Sequence, residues 1–224
     1  SFPLVLRAIG AAQYGIYVYV SAILSIVILL ADFGVGAAAG KAIAEARLRG
    51  GAAARQTLLR CIRLQAIVAG VGLVPVAAIS WAVVRTSDTM VVEPTFLVVM
   101  TLPTWFALAA AFARSCLQSY LAFGWLAVLD TTESAIRTAA WLLVAWMAPS
   151  TMALAIATLI PSLAATVLGA AILWMKANKK SLLGDGSAIG STPLVHSYRA
   201  LLADSVSFMG IGVATRVFVS APYL

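Results

Sequence analysis

Apolar residues run along this chain in long uncharged stretches separated by clusters of Arg and Lys. From Ala8 through Ala31 no side chain carries a charge, and a spanning helix needs about 20 apolar residues to cross a hydrocarbon core about 30 Å thick. The segment Ile16 to Gly40 is therefore predicted to cross a membrane. Leu64 to Val84 and Met152 to Met175 repeat the pattern, Pro94 to Tyr120 does so with Arg114 near its end, and Gly124 to Met147 is the least clean, holding Asp130, Glu133 and Arg137. Phe2 to Leu6, closed by Arg7, reads as the exit of an earlier helix, and a seventh span opens near Arg199 and Asp204. The expectation is an all-α polytopic membrane protein, a bundle of about six to seven transmembrane helices.

Punctuation between the spans agrees with this reading. Gly50-Gly51 breaks a basic segment, Glu45 to Arg63, and the Gly- and Ser-rich stretch Ser181 to Ser197 reads as a linker. Gly36 and Gly40 form a G-x-x-x-G pair, whose bare face lets another helix approach closely in lipid. Pro75, Pro103 and Pro161 fall inside three spans, either as static kinks or as bending points. Basic residues such as Lys41, Arg47, Arg114, Lys176 and Arg199 fall on alternate ends of the spans, the ends retained in the cytoplasm, while Arg7 and Arg85 fall on the opposite side. Tyr14, Tyr17 and Tyr19 mark that outer side, where amphipathic rings favour the headgroup layer.

Composition sharpens the class. The chain is 62% hydrophobic and 10% charged, with a mean hydropathy of +1.01, whereas soluble domains carry about 25% charged residues. The net charge of +7 is spread between apolar runs as a topology signal, so nucleic acid is not an expected partner. Cys61 and Cys116 read as small apolar residues near cytoplasmic helix ends. With the single His196 they make no metal cluster, and no cofactor is expected. The chain opens on SFPLVLRAIG without Met or a signal-peptide pattern and closes on APYL, so it reads as a fragment.

The run R-x-I-G-x-x-x-Y-G from Arg7 to Gly15, the A-D-F-G-V-G that closes the next helix and the K-A-I-A-E after it resemble the Wzx-type polysaccharide flippases. These belong to the multidrug, oligosaccharidyl-lipid and polysaccharide exporter superfamily. Looser matches run from Leu117 to Ala145 and from Tyr198 to Leu224. The resemblance implies that Tyr14-Gly15 marks an outer loop and that Asp32-Gly34-Gly36 lies near an inner helix end. It also implies two bundles facing a central cavity, of which residues 1–178 are the first, 179–197 a cytoplasmic linker and 198–224 the start of the second. Ser207-Phe208 and Arg216 depart from it, standing where such proteins often have a proline and an acidic residue.

The implied substrate is an undecaprenyl-pyrophosphate-linked oligosaccharide, flipped across the bacterial inner membrane for surface polysaccharide synthesis. A multidrug antiporter of the same superfamily is the first alternative, and a membrane-embedded glycosyltransferase or polymerase, needing larger outer loops, the second. Carrying a charged headgroup through hydrocarbon demands a hydrated cavity, and charges inside spans are its candidates. Arg216 and Arg137 are candidate substrate donors, since a planar guanidinium suits pyrophosphate or an acidic sugar. Arg216 has a structural alternative as a partner of Asp32 or Asp204. Asp130, Glu133 and Arg137 share one helical face, which either is neutralised internally or lines the cavity. Asp130 has a further reading as the N-cap of a helix that starts later. Asp32, Asp130 and Glu133 are the candidates to carry a coupling proton or sodium ion, Asp32 having also a packing role beside the glycines.

Overall fold

The computed structural model describes residues 2–32, 34–86, 94–147, 149–178, 201–206 and 208. Regular structure among them is entirely helical. The elements are α1 (Phe2–Ile9), α2 (Ala11–Asp32), α3 (Val35–Arg47), α4 (Gly51–Thr86), α5 (Pro94–Ser119), α6 (Phe123–Met147) and α7 (Thr151–Asn178), followed by a short helical stretch at 201–206. The expected linker at 179–197 and most of the segment beyond it, including Arg216, lie outside the described residues.

The helices start and stop where the backbone must leave right-handed geometry. Gly34 has φ 69° and Gly50 φ 116°, conformations that cost a residue with a Cβ about 1–2 kcal/mol. The first divides the expected span Ile16 to Gly40 into α2 and α3. The second opens α4, which then runs unbroken through Pro75, so the part of the basic segment from Gly51 to Arg63 and the third span are one helix. The turn between α1 and α2 is at Gly10, with φ 89°. Tyr14-Gly15 therefore stands inside α2, four residues past the loop it was expected to mark. α5 ends in a Schellman arrangement, with Ala122 N–H donating to Leu117 O at 3.1 Å and Leu121 N–H to Gln118 O at 2.9 Å. Leu121 supplies the left-handed residue, at φ 53°.

α5 is the hub of the bundle, packed on α7, α3, α2, α4 and α6. Its two ends sit in two apolar clusters. One holds Val35, Ile43, Leu58, Cys116, Leu117, Leu129 and Ile172. The other holds Val5, Tyr17, Leu24, Phe96, Met100 and Leu154. Among the described residues, two stretches, Thr95–Ser119 and Thr151–Lys176, are long and apolar enough to cross a membrane, and less than half of each is buried inside the protein. Their remaining surface is apolar and faces outward, as at Val98, Ile156 and Val167. Such a surface belongs against lipid rather than water. The G-x-x-x-G expectation takes physical form at the α3–α5 seam. A Cβ on Gly36 would lie 3.2 Å from Ser115 Oγ, and one on Gly40 3.1 Å from Ser119 Oγ.

Candidate functional site

A polar cavity of about 530 Å³ opens between α2, α5, α6 and α7, within the size range of small-molecule sites. α2 supplies Tyr14, Tyr17, Ser21 and Ser25, α5 supplies Thr104, and α7 supplies Thr158 and Ser162. α6 contributes Trp141 and Arg137, the sole charged residue in the lining. Each helix brings its polar residues to one face because they are spaced three or four apart, one turn of α-helix.

Four of the hydroxyls are already committed as donors. Ser25 donates to Ser21 O at 2.8 Å, Thr104 to Met100 O at 2.9 Å, Thr158 to Ala155 O at 2.7 Å and Ser162 to Thr158 O at 3.1 Å. What remains for a ligand is their lone pairs. Donors come from α6. Trp141 Nε1 is buried and has no protein acceptor, and the Trp141 ring stands edge-on to Tyr17 at 6.3 Å. Aromatic faces, acceptor hydroxyls and a guanidinium together suit a polyhydroxylated ligand with an anionic group.

Arg137 is held by a chain of charges along α6. One of its nitrogens bonds Glu133. Glu133 also bonds Arg114 of α5, whose Nε is 2.7 Å from Asp130 Oδ1. Two cations and two anions thus neutralise one another across the α5–α6 contact. Asp130 lies seven residues inside α6, so the reading that made it an N-cap does not hold. The helix begins at Phe123 because the left-handed turn at Leu121 has already reversed the chain.

Asp32 stands at the other end of α2. Its carboxylate stands beside the Gly36 backbone N–H in the first turn of α3 and beside the Gln65 amide of α4. Nevertheless, neither amide atom of Gln65 completes a hydrogen bond. A second cavity, about 430 Å³ between α4, α5 and α7, is apolar apart from Arg55, Gln65 and Thr166.

Further along α3, Lys41 Nζ is 3.0 Å from Asp204 Oδ2, which ties the stretch 201–206 to that helix. Leu201 is buried in the α5 cluster. Arg47 donates to Ser119 O at 2.6 Å, completing the C-terminal end of α5, and lies over the Tyr120 ring at 5.5 Å.

Of the residues picked from sequence, Asp130, Glu133 and Arg137 come together, Asp32 sits apart from them, and Arg216 is not among the described residues. Sequence reasoning missed Arg114, counted only as a cytoplasmic basic residue, and it missed Gln65, Trp141 and the cavity hydroxyls. The hydroxyls carried a signal: Ser21 and Ser25, and Thr158, Ser162 and Thr166, recur at four-residue steps inside apolar helices.

A family profile described as polysaccharide biosynthesis protein matches residues 1–220. No curated protein and no solved structure matches the chain.

Proposed function

The chain belongs to the polysaccharide biosynthesis protein family, that of the Wzx-type flippases and related exporters, and from that premise we propose that it flips undecaprenyl-pyrophosphate-linked oligosaccharides across the bacterial inner membrane. The observation that carries the proposal to this chain is the cavity beside Arg137. Its one charge is positive, its hydroxyls present lone pairs and its walls are aromatic. Sugar hydroxyls donate to those lone pairs, while a phosphate or acidic sugar takes the guanidinium.

In this reading α2 with α3, α4, α5, α6 and α7 cross the membrane, residues 1–178 form the first bundle, 179–197 the linker and 198–224 the start of the second. The charged α6 face is tolerated in the bilayer because Arg114, Asp130, Glu133 and Arg137 cancel one another. Arg216 adds a second cationic contact from the opposite bundle. Asp130 and Glu133 are both clamped by Arg114, which leaves Asp32 as the carboxylate best placed to exchange a coupling ion, since no cation bonds it among the described residues. A multidrug antiporter for cationic drugs fits this cavity poorly, because Arg137 repels them.

The test is deletion of the gene followed by mass spectrometry of the lipid-linked oligosaccharides. Completed units accumulating on the carrier, with surface polysaccharide lost and restored by the gene, is the expected result. Unchanged carrier lipids with heightened sensitivity to cationic dyes would establish the antiporter instead. Incomplete units would point to a transferase.

A further inference from the structure

Gln65 is 6% exposed, and both Nε2 and Oε1 of its amide are buried without a hydrogen-bond partner. Polar groups in that state are rare because each has given up water for nothing. The amide faces Asp32. An ionised carboxylate has only lone pairs to offer, so it can accept from Nε2 but has nothing for Oε1. A protonated carboxyl matches a primary amide in both directions. Its O–H donates to Oε1 while Nε2–H donates to its carbonyl oxygen, so one proton satisfies both orphaned atoms.

We propose that Asp32 and Gln65 form a proton-binding site at the joint between α2 and α3, with Gln65 as the positioning residue that accepts the carboxyl hydrogen. The chemistry is one O–H bond made from a solvent proton and broken when that proton leaves. Among the described residues, Asp32 is met by Gly36 from α3 and by Gln65 from α4, and Ser115 of α5 stands beside Gly36. None of these is charged. The next cation along α3, Lys41, is engaged by Asp204.

Proton binding then exchanges partners. Ionised, Asp32 accepts from Gly36 N–H at the positive end of the α3 dipole. Protonated, it loses that preference and turns to α4. The exchange takes place next to Gly34, whose left-handed φ of 69° already separates the two helices, and α3 carries the link to Asp204. For its purpose in driving exchange the site rests on the flippase reading. Its existence as a proton site does not.

The experiment is infrared difference spectroscopy of the intact protein in liposomes, without substrate, titrated from alkaline to acid pH. The expected result is a protonated-carboxyl band that is absent in Asp32→Asn. In both Gln65→Leu and Gln65→Met it moves to higher frequency, as a carboxyl that has lost its acceptor does. No band assignable to Asp32, or one of unchanged frequency in both Gln65 variants, overturns the proposal. So does a titration displaced by added sodium, which would mark a metal-cation site. Failure to flip lipid-linked oligosaccharide with the band intact would overturn the flippase reading and leave the proton site standing.

Discussion

Arg114 and Arg137 share Glu133, yet their environments give them different work. Arg114 has 27% of its side chain exposed and Glu133 11%, so removing this cation leaves a carboxylate that is largely out of water with only the more exposed Arg137 to hold it among the described residues. Arg114→Gln is expected to destabilise the protein by about 1–3 kcal/mol, read as a lower melting temperature in detergent, and Glu133→Gln in the same chain should recover part of it. Arg137 is more exposed, at 47%, and its pair with Glu133 is a single-turn contact worth about 0.5 kcal/mol or less. Arg137→Gln should therefore leave melting nearly unchanged while lowering transport of an anionic lipid-linked oligosaccharide several-fold. Equal losses of stability in the two variants would remove the distinction. The Glu133–Arg137 pair was legible from its four-residue spacing. The Arg114 clamp was not, because it joins positions 16 and 19 residues apart on two helices.

Helix against helix, the small residues decide the spacing. A Cβ on Gly169 of α7 would lie 2.9 Å from the Ala113 Cβ of α5, closer than two such atoms can stand, and neither can rotate away. Gly169→Ala should destabilise by about 1–3 kcal/mol, with Ala113→Gly restoring melting when the two are combined. The same α5–α7 contact carries a polar tie, Thr166 Oγ1 donating to Phe106 O at 2.7 Å. Where α5 ends, Leu121 is 68% exposed and held at φ 53°. Leu121→Gly relieves that backbone at little packing loss and should raise stability by up to about 1 kcal/mol, again by melting. Gly36 and Gly40 announced their seam through spacing alone, but Gly169 stands in no G-x-x-x-G pair, and its close partner is a single Ala on a neighbour.

Across the whole molecule, the contact between Lys41 and Asp204 joins α3 to residues 201–206. Both side chains are substantially exposed, so charge reversal at either should hardly move melting. If this contact steadies one arrangement of the two halves, Lys41→Asp and Asp204→Lys should each slow transport, and the double swap should restore it. Loss of transport in the double swap as well would show that the residues act separately. Asp204 holds the Lys41 ammonium above its ordinary lysine value. The lysine's share of the bridge is therefore fully present below the unfolded lysine's pKa and is lost as pH rises through the folded value, so the bridge is closed at neutral pH and opens in alkali.

Sequence by itself determined the membrane class and the helical elements, because uncharged length and charge-bearing ends are properties of a chain in lipid that need no partner. It also carried the family, through the residues around Asp32, Gly34 and Gly36, and it placed Asp130, Glu133 and Arg137 on one face, because helical periodicity is local. Only the tertiary structure decided that α2 stops at Asp32, that Arg114 holds two acids, that Tyr17 and Trp141 meet across a cavity and that Gln65 is left with an unanswered amide facing a carboxylate. Those facts depend on which helices lie side by side. In lipid that choice rests on van der Waals fit and a few polar contacts between distant positions, and hydropathy is nearly blind to both.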